Sequence, residues 1–403
     1  METLYNLSEI LEYCSLSSRI YIYGAGNHGK RMAAFLRQNS INPTGFVVSD
    51  LSGNDTKFRG IPIMDVNEIS NQIDASYLVC VSENNHQAIR DTLAQRGIAN
   101  YRILSCELMN TLRKENDWSH LASVKQDGFI QVLMFHRVIK LEHNPWRMAV
   151  SPDLFDEYMR HIKENYRLMR FDEDWSEVRE KSIVVTLDDG YADNYWNALP
   201  ILEKYQIPAT IFVSSENIGL PREFWWDRLT RLIPTDELRT VRDKLKFMEP
   251  DERGYELDKI EKRFCTPENA PSEEGRALNE EELKHLADSE YITIGGHTVS
   301  HGALAGESSE MQKWEITDSK LRIEKIIGRP VTVFSYPFGQ RDTYTAETIN
   351  MLKSVGYIRA AATCPGVVTK ETPRYEIPRN GQPDYSLIDF AKALEEKWYF
   401  YGS

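Results

Sequence analysis

The chain has 403 residues, 41% hydrophobic and 27% charged, an ordinary globular composition with material for two or three domains of roughly 100–200 residues each. Its formal net charge of −13 argues against a nucleic-acid-gripping or anionic-lipid-gripping protein, although a local cluster of donors can still meet a small anionic ligand. Five scattered cysteines with no CxxC pair, an acidic start "METLYNLSEILEYC" without a secretory pattern, and no apolar run near the roughly 18 residues of a membrane span predict a cytoplasmic setting.

In chain order, "RIYIYG" reads as a strand, "HGKRMAAFLRQ" as a helix and "GFVVSD" as a strand. "VNEISNQI" then reads as a helix, "YLVCVS" as a strand, "HQAIRDTLAQRG" as a helix and "YRIL" as a last strand. This alternation predicts a Rossmann-like parallel sheet with helices on its faces over residues 1–108. Gly24, Gly26 and Gly29 spell G-x-G-x-x-G directly after a strand and open a helix, the context in which a phosphate can approach a helix amino terminus closely. Asp50 ends "GFVVSD" where a ribose-binding acid can sit. The unit is too short for two full mononucleotide halves, so no NAD is expected. A purely structural unit with an empty crevice is an equal alternative.

The polar stretch over residues 109–127 reads as a linker, and a second alternating unit over 128–403 begins with "IQVLMFHRV". Ser151 and Pro152 open a well-capped helix, "SPDLFDEYMRHIKEN". Strands follow at "SIVVTL", "ATIFVS", "YITIGG" and "VTVFSYP". A charged, helical insertion over 216–285 interrupts the rhythm, so the unit reads as a βα barrel with one large insertion. In its opening "FWWDRLTRLI", Trp225, Trp226, Leu229, Leu232 and Ile233 recur at helical spacing, which favours the insertion's own core over a sugar-stacking wall.

"VVTLDDGY" ends a buried strand in Asp188 and Asp189. Alone, this reads as a strand-end turn with Asp189 capping the next helix. "YITIGGHTVSH" ends another strand in His297 and His301; a helical turn there would put both imidazoles on one face, able to share a metal. Two histidines and one aspartate leave a zinc-type ion an open position for water, and the second aspartate can then serve as general base. His136, near the end of "VLMFHRV", is either a satisfied core histidine or a proton donor to a leaving amine. The second reading follows because strand carboxyl ends converge on the active face of a parallel barrel.

The "TLDDGYADN" and "HTVSH" blocks, with "FSYPFG" at 334–339, closely resemble the three motifs of the polysaccharide deacetylase family over about residues 128–400. The resemblance implies a distorted (β/α)7 barrel and a divalent metal, zinc first, with nickel, cobalt or manganese as alternatives. It assigns Asp188 as general base and Asp189, His297 and His301 as metal ligands, with the backbone N–H of Phe338 helping to hold an oxyanion. Two departures stand out. Ser335 and Tyr336 replace the family's orienting arginine, for which Arg379 in "YEIPRNG" offers a substitute. No histidine follows His301, which leaves His136 for the general-acid role.

The front domain, through "FRGIPIMDVNEI" and "VCVSENNHQAIRDTL", resembles the nucleotide-sugar-binding domain of trimeric sugar acetyltransferases, implying a UDP-like site around residues 24–30. The expectation is therefore an α/β enzyme that removes an N-acetyl group from an amino sugar. The substrate would be a carbohydrate, a nucleotide-linked (such as UDP-linked) or lipid-linked precursor rather than finished polymer, in surface-glycan biosynthesis. Nucleic acid and a membrane span are not expected, and the oligomeric state is open. A deformylase on a formamido sugar and a non-catalytic sugar-nucleotide-binding scaffold are the alternatives. No G-x-S-x-G elbow supports a serine hydrolase.

Overall fold

A computed structural model describes residues 3–52, 55–69, 74–118, 128–264 and 275–402. They fall into two units, one built from Met1–Gln126 with Trp398–Tyr401, the other from Asp127–Lys397. No described helix is long and apolar enough to cross a membrane.

The first unit comprises β1 (Thr3–Leu4), α1 (Leu7–Ser15), β2 (Arg19–Tyr23), α2 (Asn27–Gln38), β3 (Gly45–Val48), β4 (Lys57–Phe58), β5 (Ile61–Asp65), β6 (Ala75–Val79), α3 (His86–Gln95), β7 (Tyr101–Leu104) and α4 (Cys106–Glu115). Its sheet runs β1-β7-β6-β2-β3-β5-β4, and only the β4–β5 pair is antiparallel among the described strands. Strands β3 and β6 are buried along their whole length, as parallel strands covered on both faces must be. Counting β2, β3, β5, β6 and β7 as first to fifth gives the order 3-2-1-4-5 of a doubly wound sheet, with its switch point between β2 and β6.

Two expectations change here. The stretch 109–118 is not linker. Helix α4 continues to Glu115 and buries Leu108, Met109 and Leu112, and Trp118 packs on Tyr399 and Phe400 at 5.6 and 5.8 Å between ring centroids. Its polar residues are the solvent face of an amphipathic helix; residues 119–127 lie outside the described ones. Within "VNEISNQI", the described residues Val66–Glu68 form a 3-10 turn rather than an α-helix; residues 70–73 also lie outside.

The second unit is a distorted parallel barrel. It comprises β8 (Ile130–Phe135), β9 (Arg137–Val138), β10 (Ala149–Val150), α5 (Pro152–Asn165), β11 (Arg167–Leu168), β12 (Ser182–Leu187), α6 (Leu199–Tyr205) and β13 (Ala209–Val213). The insertion supplies α7 (Trp225–Leu232), α8 (Thr235–Leu245) and α9 (Pro250–Phe264). The barrel resumes with α10 (Glu280–Asp288), β14 (Ile292–Gly296), α11 (Ser309–Ile327), β15 (Val333–Ser335), α12 (Ala346–Val355), β16 (Arg359–Ala361), β17 (Asn380–Gly381) and α13 (Leu387–Tyr401). The sheet order is β16-β15-β14-β13-β12-β8-β17, and a parallel bridge from Ala361 to Ile377 brings β16 beside the segment leading into β17. Val132, Val184, Phe212, Val333 and Ala361 fill the interior.

Register decides where the polar residues emerge. Phe135 pairs with Leu187, so His136 and Asp188 leave their strands at one level. Val213 pairs with Gly296, one residue before His297, and Gly296 pairs with Phe334. The insertion has its own core of Leu229, Leu232, Ile233, Leu238, Leu245 and Leu257. It is shorter than 216–285, because α10 starts from an Asn279/Glu282 capping box and packs on β14 as a regular barrel helix. Residues 265–274 lie outside the described ones.

Packing at the glycine motif gives a stability test. A Cβ on Gly29 would lie 1.8 Å from the Gly24 carbonyl oxygen, whereas one on Gly26 would meet nothing within 4 Å. Gly29→Ala should cost about 1–3 kcal/mol through overpacking. Gly26→Ser, at the exposed N-cap of α2, should stay within about 0.5 kcal/mol. Equilibrium urea unfolding of the full chain compares the two.

Candidate active site

The carboxyl ends of β8, β12, β14 and β15 converge on one cavity of about 250 Å³ lined by His136, Asp188, Asp189, His297, His301 and Phe338. The backbone there is strained. Of eight non-glycine residues with positive φ among the described ones, four stand at this site: Asp189 (77°), Thr298 (64°), His301 (56°) and Phe338 (61°). Such conformations cost of order 1–3 kcal/mol each and persist where the surroundings over-determine them. After Asp189, Gly190 turns at φ 82° with Val213 so close that a Cβ would lie 2.9 Å from its Cγ1. This left-handed turn lets two consecutive aspartates reach the same cavity.

Asp188 is buried, its amide donating to the Phe135 carbonyl at 3.0 Å. Arg379 grips it bidentately: Nη1 donates to Oδ1 and Nη2 to Oδ2, both at 2.7 Å. The rest of the guanidinium is also engaged. Nε donates to the Ala362 carbonyl at 2.9 Å, Nη1 to Thr186 Oγ1 at 3.2 Å and Nη2 to Ser335 Oγ at 2.8 Å. Burial pushes the Asp188 carboxyl up, but Arg379 and then His297 outweigh it and hold the group below its ordinary range. Asp188 is thus a fixed, ionised acceptor.

Asp189, His297 and His301 each present one ligand atom, all within 4.8 Å of one another and all buried. Asp189 Oδ1 lies 3.4 Å from His297 Nε2 and 3.2 Å from His301 Nε2, yet it has no hydrogen-bond partner. His297 Nδ1 faces the Ser335 carbonyl at 2.7 Å. A carbonyl only accepts, so Nδ1 carries the hydrogen and Nε2 is left to point its lone pair at Asp189. Burial, only partly offset by Asp189, lowers the His301 imidazole to about 4, a neutral ligating ring. Three converging electron-pair donors, one of them a buried, unsatisfied carboxylate oxygen, fit a divalent cation.

Residues 297–301 are not the expected helical turn. They form a bent loop beside β13's continuation, with Ser215 and Glu216 amides donating to the Thr298 and Val299 carbonyls at 3.1 and 2.9 Å. The left-handed Thr298 and His301, rather than helical periodicity, bring the imidazoles together. Glu315 of α11 clamps the loop, its Oε2 accepting from the amides of Val299 (2.6 Å) and Ser300 (2.9 Å). Arg253 of the insertion holds the Ser300 carbonyl and hydroxyl at 3.0 and 2.6 Å. Sequence reasoning missed both, since neither carries a local signal.

His136 is half-buried on the cavity wall. Its strand end is held by the "YADN" block: Asn194 donates to the His136 carbonyl at 2.9 Å, and Asp193 accepts from the Val138 amide at 2.9 Å. The Phe338 ring lies 5.1 Å from that of His301. Trp226 both packs in the cluster with Tyr191 and Phe224 and lines the cavity, 4.2 Å from the His301 ring; Leu229 and Leu232 stay in the insertion core.

In the first unit, Gly24 turns at φ 103° after β2, and Gly26 leaves open space at the amino terminus of α2. Asp50 is exposed, and its carboxylate accepts from the Ser52 amide at 2.8 Å. Lys30 does not face the glycine turn as a phosphate ligand would; its Nζ sits over the rings of Phe58, Tyr401 and Phe400 at 4.8, 5.4 and 5.8 Å.

Breaking the buried pair by Arg379→Met should cost roughly 3–5 kcal/mol, because it strands the Asp188 charge. Adding Asp188→Asn to that variant should recover part of the loss. The two urea-unfolding midpoints and their double-mutant cycle check the coupling.

Residues 176–360 match the family model described as polysaccharide deacetylase, and residues 16–104 match one described as C2185-like, N-terminal. The chain is 24% identical over 274 residues to "Putative polysaccharide deacetylase YxkH" of Bacillus subtilis (strain 168), covering 66% of this chain and 76% of that protein. Among solved structures, BC0361, a polysaccharide deacetylase from Bacillus cereus, is 23% identical with a TM-score of 0.47, covering 66% of this chain and 68% of that one. Streptococcus pyogenes deacetylase PplD in complex with acetate is 20% identical with a TM-score of 0.46, covering 67% of this chain and 99% of that one. The match over 176–360, the stretch that carries Asp188, Asp189, His297 and His301, identifies that part of the chain as similar to the polysaccharide deacetylase domain.

Proposed function

We propose that the chain is a metal-dependent hydrolase that removes an N-acetyl group from an amino sugar. The observation that supports it most is the meeting, in one cavity, of an Arg379-held Asp188 with a buried Asp189–His297–His301 cluster. Asp189, His297 and His301 would hold the divalent ion, zinc in first place. When bound, such an ion lowers the pKa of water and polarises an amide carbonyl.

The chain's own residues supply the rest. Asp188, ionised and oriented by Arg379 and Ser335, takes the proton from the attacking water. The backbone N–H of Phe338 donates to the oxygen that becomes negative as the amide carbon turns tetrahedral. His136 gives a proton to the departing amine nitrogen. Trp226 and Phe338 wall the cavity, and their apolar surfaces limit the water around the reacting groups.

A nucleotide- or lipid-linked precursor sugar is the proposed substrate. The doubly wound first unit, with its glycine turn at the switch point between β2 and β6, supports a nucleoside diphosphate site there. Gly24, Gly26 and Asp50 would line it; Gly29 would serve packing, and Lys30 is engaged elsewhere.

Three measurements test this. Acetate release from a panel of UDP-N-acetyl sugars and oligomeric glycans should stop with chelator and return with zinc; formate release from formamido sugars in the same panel would favour the deformylase alternative. Asp188→Asn should lower kcat by at least ~10²-fold with metal content retained, whereas Asp189→Ala or His297→Ala should lose the metal in elemental analysis. His136→Ala should lower kcat by about 10²-fold with normal metal content; near-full turnover would remove it from the general-acid role.

A further inference from the structure

The catalytic cavity has two more lining residues, Arg242 and Lys246, that the proposed chemistry does not use. They stand one helical turn apart, Arg242 in α8 and Lys246 at its carboxyl end. The backbone of Lys246 is fixed from both sides. Its amide donates to the Arg242 carbonyl at 2.9 Å, and its carbonyl accepts from the Ala303 amide at 2.7 Å, just beyond the His301 loop.

The side chains are short of negative charge. The Lys246 side chain is only 7% exposed, and its ammonium reaches Asp243 Oδ1 only at 3.8 Å. The same oxygen already accepts from Arg242 Nη2 at 2.7 Å and Nε at 3.1 Å. Two cations therefore share one carboxylate, itself 44% exposed and so solvent-screened. Asp243 does not line the cavity; the carboxylates that do are Asp188, committed to Arg379, and Asp189, committed to the histidine cluster. The ammonium also lies over the Phe247 and Phe338 rings at 4.8 and 5.3 Å, but no carboxylate neutralises it at close range, and a largely desolvated charge of this kind is unfavourable; here it lines the cavity where substrate must enter.

Position links this excess charge to the reacting centre. The Phe338 ring lies between them, 5.1 Å from the His301 ring and 5.3 Å from Lys246 Nζ. An anion held at Lys246 is within reach of a substituent on the same sugar whose amide meets Asp188. The Arg242 guanidinium lies 5.0 Å from the ring of Trp146, which also lines the cavity.

We propose that Arg242 and Lys246 form an anion subsite that selects an amino sugar bearing a phosphoryl or carboxylate group; this rests on the amide-hydrolase reading of the same cavity. The preference is then set by the insertion, which brings both cations to a barrel whose own strand ends supply none of that excess.

Calorimetric titration of the zinc-loaded Asp188→Asn protein would compare N-acetylglucosamine, N-acetylglucosamine 1-phosphate and N-acetylglucosaminuronate, with kcat/KM on the same sugars in wild type. At least one anionic sugar should bind ten-fold or more tightly than the neutral one, which of the two identifying the anion. The preference should weaken as salt rises, fall at least five-fold in Lys246→Met or Arg242→Gln, and return in Lys246→Arg. Equal affinity for neutral and charged sugars, or a preference that survives both substitutions, overturns the subsite. Acetate release from neutral glycans with no anion preference would overturn the subsite alone. An anion preference lost in Lys246→Met, with no acyl release from any sugar, would overturn the hydrolase reading and leave the subsite standing.

Discussion

The bidentate pair between Asp188 and Arg379 is the constraint around which the second unit is arranged. Both charges are buried, and removing them from water is unfavourable unless every remaining donor finds an acceptor. Here it does: the guanidinium meets Asp188, Thr186, Ser335 and the Ala362 carbonyl together. Those partners come from β12, β15 and the end of β16, and Arg379 immediately precedes β17, which returns to β8. Closing the sheet and fixing the carboxylate are thus one event. Ser335 joins this pair to the neighbouring cluster, since its hydroxyl serves Asp188 and Arg379 while its carbonyl fixes the tautomer of His297.

The loop that carries the two histidines shows how strain is kept in place. Thr298 and His301 sit in the left-handed region, which an isolated pentapeptide of this composition would avoid. Glu315 takes two successive amides of the loop, Arg253 takes the Ser300 carbonyl, and the Trp225 indole donates to the His301 carbonyl at 3.2 Å. Two of these three braces come from the insertion. Its helices therefore act on the site twice, by holding the His301 loop and by providing Trp226, Arg242 and Lys246 to the cavity wall.

In the first unit the same glycine signature divides its work between packing and openness. Gly29 allows α2 to lie against the turn at Gly24, while Gly26 keeps the helix amino terminus uncovered. Lys30, one residue further, is drawn into an aromatic box because a partly buried ammonium gains more over three ring faces than it would at an open turn.

Composition, alternation and motif spacing by themselves determined the α/β class, the two units, the parallel barrel and the grouping of Asp188, Asp189, His297 and His301. These are legible because strand periodicity and the turn after a strand are local properties, and a parallel barrel collects its strand ends at one face whatever the loops do. The folded state of residues 109–118 was hidden by polar residues that proved to be the outer face of α4. The conformation of 297–301 was misread because helical spacing and a left-handed loop both place residues i and i+4 together. Arg379 could be named as a candidate partner for Asp188, but only the pairing of β17 with β8 decided that its guanidinium meets that carboxylate. Glu315, Arg253, Arg242 and Lys246 left no trace in the sequence, because each reaches the site from at least 15 residues away along the chain, and such approaches are set by how helices pack on the finished barrel.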